Sequence, residues 1–149
     1  MIRKARITDI RHIQALINNF AVQNLMLPRS LNELYESLRD FWVIEDKKRI
    51  SGCAALHISW GNLAELRSLA VEKKRQGQGL GRNLVEACLN EAKELGAKEV
   101  FALTYKPKFF QKFGFKRVEH KDLPHKVWAD CINCPKFPNC QEVALVKKI

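Results

Sequence analysis

The sequence lacks the features that would direct a chain into or across a membrane. No run of about 18 apolar residues occurs in its 149 residues, so no segment resembles a transmembrane helix. The first residues, Met1 to Ala5, do not begin a secretory signal peptide. We therefore expect a cytoplasmic location and no membrane partner. Length and a hydrophobic content of 46% predict a single domain over 1–149, with a cysteine-containing segment at 125–149.

Basic residues interleaved with aromatic ones, as on nucleic-acid-binding surfaces, are also lacking. The formal net charge is +10, but outside short clusters at 47–49 and 73–75 the basic residues alternate with acidic ones. No aromatic side chains lie among them to stack on bases. We expect no nucleic-acid partner. The positive field is suited instead to attracting small anions.

Two common phosphate-binding motifs are missing. No Lys-Ser or Lys-Thr follows the glycines of segment 75–82, which excludes a Walker loop. The spacing of Gly77, Gly79 and Gly81 excludes the G-x-G-x-x-G dinucleotide fingerprint. Glycine nevertheless allows backbone N–H groups to converge on one point, where the positive end of the following helix also points. The segment therefore predicts a phosphate site, and a bare glycine turn before a surface helix is the alternative.

A fully pairable set of cysteines is lacking, since their number, five, is odd, and this argues against a disulfide framework. The C-terminal segment contains one close pair and a third cysteine, which are a weak zinc candidate: Cys131, Cys134 and Cys140. His120 or His125 would be the fourth ligand, but a full zinc site usually has two close pairs, so we expect no metal. A disulfide or redox role is an alternative, and reduced structural thiols are the preferred interpretation. Cys53 and Cys88 are expected in the core.

Apolar periodicity predicts a chain of alternating helices and strands. The helical pattern covers 8–21, 30–40, 80–95 and 108–113. Strand patterns cover 2–7, 41–45, 50–59, 63–71, 99–105, 115–118 and 142–146. A capping box at Ser30 and Glu33 marks the start of the second helix, and Gly96 is a candidate end of the third. The expected fold class is α+β, with a mixed, mainly antiparallel central sheet flanked by helices.

Two motifs and the order of the elements resemble a known family. Residues 76–81 form a Q-x-x-G-x-G pattern, and residues 110–115 read Phe-Gln-Lys-Phe-Gly-Phe. The first is similar to the acetyl-CoA pyrophosphate loop of the GNAT superfamily of N-acetyltransferases. The second is similar to its aromatic-x-x-x-Gly-Phe segment, although Phe110 stands where the family usually has tyrosine. The resemblance covers about residues 1–120 as a fold.

Four further blocks look like the acetyltransferase domain of bacterial N-acetylglutamate synthases: 27–34, 52–56, 64–71 and 101–105. Many of these enzymes carry an amino-acid-kinase domain upstream, and no such domain is present in this sequence. The resemblance therefore implies a short, free-standing form. Arginine feedback through the kinase domain cannot then be assumed.

The resemblance implies acetyl-CoA as the cosubstrate. Backbone N–H groups of Leu69 and Val71 would meet the acetyl carbonyl and the pantetheine, and loop amides would hold the pyrophosphate. Arg75 or Arg82 would add a side-chain charge. The implied coenzyme residues are Leu69, Ala70, Val71, Gln76, Gly77, Gln78, Gly79, Leu80, Gly81, Arg82, Phe109 and Phe110.

Acetyl transfer to an amine needs a base for the nitrogen and an acid for the departing thiolate. Glu65 is the candidate base because family bases often lie on this strand, and a surface ion pair with Arg67 is the alternative. Tyr105 is the candidate acid, and an aromatic side chain packed at a strand end is the alternative.

A glutamate substrate has two carboxylates, so its site needs cationic or donor groups. The candidates are Arg29, Ser30, Arg67 and Lys106, with ordinary solvated cations as the alternative. Lys106 stands where related synthases have arginine, and a single charge leaves selectivity over glutamine open. The implied reaction is the first step of arginine biosynthesis, by direct attack in a ternary complex. The alternatives are acetylation of another small amine or of a protein or peptide amine, and a non-catalytic binder; a homodimer is left open.

Overall fold

Seven strands form one mixed sheet in the computed structural model, which describes residues 1–23, 25–123 and 142–149. The strands are β1 Ile2–Lys4, β2 Phe41–Asp46, β3 Arg49–Trp60, β4 Leu63–Val71, β5 Glu99–Thr104, β6 Lys116–Val118 and β7 Val143–Lys148. The helices are α1 Ile10–Ala21, α2 Leu31–Glu36, α3 Leu80–Glu94 and α4 Pro107–Gln111. The sheet order is β1-β2-β3-β4-β5-β7-β6, in which β4 and β5 pair in parallel and the other neighbours pair antiparallel. The α+β prediction is confirmed.

Each face of the sheet buries its own apolar core. The face covered by α3 buries Leu84, Val85 and Cys88 of that helix against strand residues such as Leu56 and Leu66. The opposite face is covered by α1 and α2. It buries Ile10, Ile13, Ile17, Leu34, Phe41, Val43, Cys53, Ala55 and Ala70. The helical spacing of the apolar residues thus predicted which sides of α1 and α3 face the sheet.

The N-terminal strand is shorter than the predicted 2–7. It ends at Lys4 because the Asp9 carboxylate accepts the Arg6 N–H group at 2.7 Å and starts a 3-10 turn over Ile7–Asp9. Arg3 donates to both oxygens of Asp9, at 2.7 and 3.1 Å, and also binds Glu45 on β2. This ion-pair network ties β1 to the start of α1.

The second helix begins as predicted, with Ser30 Oγ accepting the Glu33 N–H group at 3.1 Å. It ends at Glu36 instead of near residue 40. Ser37 leaves helical geometry and donates its hydroxyl to the Glu33 carbonyl at 2.7 Å, and a 3-10 turn over Leu38–Asp40 follows. A side-chain hydroxyl that bonds the preceding turn in this way competes with continued helix.

Cys53 and Cys88 lie in the core, as predicted. Burial raises the pKa of each thiol to about 12. Gly96, with φ +89°, follows α3 in the left-handed conformation expected of a C-terminal cap. Among the described helices, none combines the length and the apolar character that a bilayer crossing requires.

Candidate active site

The parallel strands β4 and β5 pair over only part of their length. Their register runs from Leu63 opposite Glu99 to Glu65 opposite Phe101, whereas β4 continues to Val71 and β5 to Thr104. Beyond Glu65 the two strands therefore separate. A cavity of about 540 Å³ opens between them and extends to the start of α3.

A β-bulge shapes the wall of this cavity. Cys53 pairs with Ala70 and Ala55 with Arg67, so β4 has two residues, Ser68 and Leu69, opposite the single residue Ala54 of β3. Ser68 has a φ of +56° and accepts a hydrogen bond from Cys53 Sγ at 3.4 Å through its carbonyl. A non-glycine residue rarely adopts this conformation, and no glycine signalled it in the sequence.

The glycine loop lies at the end of the cavity where α3 begins. Gly77 and Gly79 have φ values of +82° and +80°, and Gly79 is the N-cap of α3. Within the described residues no backbone carbonyl accepts the N–H groups of the first three helical residues: Leu80, Gly81 and Arg82. These donors and the helix dipole give the loop an anion-binding character.

Two glutamine side chains fix the loop. Gln76 Nε2 donates to the Val71 carbonyl at 3.0 Å, which joins the loop to the end of β4. Gln78 Oε1 accepts a hydrogen bond from Arg75 Nε at 3.1 Å. Arg75 also forms an ion pair with Asp46 at the end of β2.

An aromatic group lines the cavity beside the loop. Phe109 of α4 packs so closely on Gly81 that a Cβ atom added there would lie 3.1 Å from Phe109 Cζ. The Phe109 ring contacts those of Phe110 and Phe113 at centroid distances of 5.3 and 5.1 Å. The φ of Gly81 is not in the left-handed region, so its backbone conformation does not require glycine. Glycine is needed there because α4 packs closely on α3.

The cavity is electrostatically positive. Six cationic side chains line it, against two acidic ones, Glu65 and Glu142. The cations are Arg29, Arg67, Arg75, Arg82, Lys106 and Lys112. An excess of positive charge in a concave site favours anionic ligands.

Glu65 and Arg67 lie on the same side of β4, as the strand alternation predicts. Arg67 Nη1 is 3.4 Å from Glu65 Oε1, and the two side chains are 19% and 12% exposed. The ion pair anticipated as the alternative role of Glu65 is therefore present at the edge of the cavity. It is compatible with a catalytic carboxylate, because both side chains line the same space.

Arg29 is held by groups from two helices. Its N–H group donates to Asn18 Oδ1 and its carbonyl accepts from Gln14 Nε2, each at 3.3 Å, which anchors the backbone to α1. Its guanidinium binds Glu33 of α2 at 3.2 Å. The adjacent Ser30 hydroxyl caps α2, so its oxygen is already used within the protein.

Tyr105 and Lys106 follow the end of β5 and both line the cavity. The Lys106 N–H group donates to Thr104 Oγ1 at 2.9 Å, and this turn directs the chain from β5 into α4. Tyr105 lies where β5 has already separated from β4. Both residues thus project from the second of the two diverging strands.

The family assignment follows from a sequence match over more than half of the chain. Residues 37–117 match the model of the acetyltransferase (GNAT) domain. This chain belongs to the GNAT acetyltransferase family. The GNAT chain is accordingly an acetyl-CoA-dependent N-acetyltransferase, and the resemblance in its motifs is confirmed.

The GNAT chain has relatives along nearly its whole length. An uncharacterized N-acetyltransferase of Chlorobaculum tepidum is 40% identical over 148 residues, which cover 99% of this chain and 96% of that protein. An amino-acid acetyltransferase of Mycobacterium tuberculosis is 35% identical over 131 residues, covering 86% of this chain and 75% of that protein.

The fold also matches a solved enzyme. N-acetylglutamate synthase from Neisseria gonorrhoeae, in complex with coenzyme A and N-acetyl-glutamate, superposes with a TM-score of 0.87 at 28% identity. The match covers 99% of this chain, which spans about a third (34%) of the synthase chain.

Most of the predicted site residues line one cavity of the GNAT chain. The exceptions are Ser30, which caps α2, and Gln78, whose side chain braces the loop from outside. Sequence reasoning missed the apolar wall formed by Phe20, Leu25, Met26 and Leu27. The apolar run 25–27 in a predicted loop was the available signal. The three cysteines of the weak zinc candidate lie outside the described residues.

Proposed function

We propose that this enzyme transfers the acetyl group of acetyl-CoA to the α-amino group of L-glutamate, the first step of arginine biosynthesis. The observation that carries the proposal is that one cavity is lined both by the glycine loop and by Glu65, Arg29, Arg67 and Lys106. One ligand with phosphates and one with carboxylates suit such a space. The amino-acid acetyltransferase relative and the synthase structure support an amino acid as the acceptor.

The coenzyme is proposed to lie between the diverging strands. Beyond Glu65 the edge of β4 that faces β5 is not used for strand pairing, so its backbone is available to the acetyl carbonyl and to the pantetheine amides. The backbone groups of Leu69 and Val71 are the proposed partners. The loop amides from Gln78 to Arg82 are proposed to hold the pyrophosphate, helped by the dipole of α3.

The reaction proposed for this geometry is a direct attack in a ternary complex. Glu65, directly or through a water molecule, takes a proton from the substrate ammonium and leaves a neutral amine. The amine attacks the thioester carbonyl, and β4 amides stabilise the oxyanion of the tetrahedral intermediate. When the C–S bond breaks, Tyr105 donates a proton to the thiolate. The nitrogen loses its extra proton to water, and Tyr105 and Glu65 return to their starting protonation states by exchange with water.

The substrate carboxylates are proposed to bind to different cations of the cavity that Glu65 lines. Arg29 would bind one carboxylate as a bidentate partner, in place of the Glu33 carboxylate with which it forms an ion pair. Lys106 would bind the other, with Arg67 adding positive charge. Because the lysine is a single rotatable charge, we expect only modest discrimination between glutamate and glutamine.

The experiment that tests the proposal is a thiol-release assay with acetyl-CoA and a panel of acceptors. The panel contains glutamate, glutamine, other amino acids, small amines and a lysine-containing peptide. We expect glutamate to give the highest kcat/KM, with N-acetylglutamate identified by mass spectrometry. Efficient acetylation of peptide lysines without turnover of free glutamate would overturn the proposal and favour a peptide acetyltransferase.

A further inference from the structure

A second, shallower cavity adjoins the coenzyme loop on the side of β2 and β3. It measures about 350 Å³ and is formed where the β2–β3 turn meets the 3-10 turn Lys73–Arg75. Its lining residues are Asp46, Lys47, Arg49, Ser51, Glu72, Lys74 and Arg75. Arg75 lines both this cavity and the main one. An anion at the glycine loop would therefore have this cavity as its immediate neighbour.

The charges of this cavity are not balanced. Its two acidic groups are already engaged by arginines, Asp46 by Arg75 and Glu72 by Arg49. Two exposed lysines, Lys47 and Lys74, line it, and each has an exposed lysine next to it in sequence, Lys48 and Lys73. In the described part of the chain, none of the four has a side-chain hydrogen bond or ion pair, so their ammonium groups can bind a ligand.

The turn that carries two of these lysines has an unfavourable sequence for its shape. Lys47 and Lys48 have φ values of +50° and +65°, and they form the two-residue connection between Asp46 and Arg49. This is the geometry of a type I′ turn, for which Asn-Gly is strongly preferred. Residues held in sparsely populated conformations often have a functional role. Two lysines in place of Asn-Gly point to a role for their charge.

We propose that Lys47 and Lys74 bind the 3′-phosphate on the ribose of coenzyme A. This inference rests on the proposed position of the pyrophosphate at the glycine loop. The pyrophosphate is attached to the 5′ position of the same ribose, so the 3′-phosphate lies one sugar ring away from it. It must lie outside the loop, because the pyrophosphate in its proposed position takes the loop donors. The second cavity adjoins the loop through Arg75. A phosphate and exposed ammonium groups are complementary in charge.

The test compares the affinities for coenzyme A and for dephospho-coenzyme A, which lacks only the 3′-phosphate. Isothermal calorimetry gives both dissociation constants for the full chain. We expect the wild type to bind coenzyme A more tightly. In a Lys47→Ala/Lys74→Ala variant, coenzyme A affinity should fall roughly tenfold, as expected for two exposed charge contacts, with little change for dephospho-coenzyme A.

Two further variants separate a specific contact from general effects. Lys98→Ala/Lys116→Ala removes the same net charge from exposed positions elsewhere and should bind both ligands as the wild type does. Lys47→Asn/Lys48→Gly places the preferred residues in the turn. It should unfold at an equal or higher temperature, yet it should still lose affinity for coenzyme A and not for dephospho-coenzyme A.

The outcomes distinguish this inference from the proposed function. Equal affinity of the wild type for the two ligands, or equal losses for both in the lysine variant, would overturn the 3′-phosphate contact alone. Failure of the wild type to bind either ligand would contradict the coenzyme site itself and overturn both proposals.

Discussion

Arg29 is the residue on which the proposed substrate site depends most. Arg29→Ala should raise the KM for glutamate strongly and leave acetyl-CoA binding unchanged. Removing one partner of a desolvated charge pair costs about 2–5 kcal/mol, which corresponds to roughly 30-fold or more in KM. Steady-state kinetics with varied glutamate measure the effect. Arg11→Ala, an exposed arginine on α1, is the matched control.

The Glu33 carboxylate offers a second test, in which the KM for glutamate should change in the opposite direction. It binds the Arg29 guanidinium at 3.2 Å, so a substrate carboxylate would have to displace it. Glu33→Gln retains the capping geometry of α2 but removes the competing charge, and it should lower the KM for glutamate. A change of less than twofold for Arg29→Ala would show that this arginine does not bind the substrate.

Glu65 is the proposed base, and its role has a pH signature. Glu65→Gln should lower kcat by about 10²–10⁴-fold near neutral pH with little change in coenzyme affinity. The loss should become smaller at high pH, where the substrate amine is already deprotonated. Kinetics over a pH series measure this.

Arg67→Gln is the companion variant for Glu65. Arg67 forms an ion pair with Glu65, so if the pair served only to position these side chains, substitution of either residue would have the same effect. If the two variants had equal losses that did not depend on pH, Glu65 would act by orienting Arg67 and not as a base.

At the residue level the sequence predicted the chemistry of the site better than its shape. The resemblance and strand alternation led to Glu65 and Arg67, and both line the cavity. The left-handed conformation of Ser68 could not be predicted, because sequence patterns signal such positions mainly through glycine. Phe20 lies at the end of the apolar stripe of α1, and periodicity does not distinguish a side chain in the core from one that lines a cavity at the helix end.

At the level of elements, the order of helices and strands was predictable, whereas several ends were not. Long periodic patterns identified α1, α3 and β4, since many positions contribute to each. The ends depend on single side chains, such as Asp9 at the end of β1 and Ser37 at the end of α2. The competing hydrogen bonds of these side chains were not visible in the apolar pattern.

The glycine loop can be tested by comparing the two ends of α3. Gly79 and Gly96 have φ values of +80° and +89°, and an added Cβ would meet no atom within 4 Å at either position. Alanine at each should therefore destabilise the fold by a similar amount, about 1–2 kcal/mol. Only Gly79→Ala should also weaken coenzyme A binding, because its strain displaces the loop amides.

Calorimetry and thermal unfolding of both glycine variants give the two quantities separately. The Gly96→Ala variant accounts for any effect of lower stability on binding. If Gly79→Ala were folded and bound coenzyme A as tightly as Gly96→Ala does, the loop would not be the pyrophosphate site.

At the level of the whole molecule, the mixed sheet could be predicted, but not its strand order. Connections of two residues, which are typical of hairpins, join β2 to β3 and β3 to β4, and these strands are neighbours in the sheet. The last strand, β7, lies between β5 and β6, which precede it by tens of residues. Such long-range pairing has no signature in local periodicity. The GNAT resemblance, by contrast, predicted the fold of residues 1–120 as a whole.

Stability of the whole domain should depend on pH through the buried Arg3–Asp9 pair, whose side chains are 11% and 7% exposed. Burial raises the pKa of Asp9, but hydrogen bonds from Arg3 and the Arg6 N–H group outweigh this and hold the pKa below its usual value. A lowered native pKa adds stability above the unfolded-state pKa of about 3.9. That stability is lost as the pH falls through the native pKa.

Asp9→Asn should therefore destabilise the protein by about 3 kcal/mol at neutral pH. This value is near the lower end of the usual cost of breaking a buried ion pair, because Glu45 still binds Arg3. Urea unfolding at pH 7 and near pH 3 measures the difference, which should shrink at the lower pH. Glu119→Gln breaks an exposed pair with Lys121 and should have little effect. If the difference in unfolding free energy between the wild type and Asp9→Asn did not change with pH, the lost stability would come from packing and not from the Asp9 charge.

The bulge at Ser68 and Leu69 makes the length of β4 part of the active site. Before it, Leu66 packs toward α3 while Glu65 and Arg67 lie on the other face; after it, Ala70 packs toward α1 and Leu69 toward α3. The alternation is therefore reversed within one strand. A substitution at position 68 keeps this phase, whereas a one-residue deletion there would transfer one half of the strand to the wrong side. The number of residues in β4, more than the identity of residue 68, therefore keeps Glu65 and Leu69 on their own sides of the sheet.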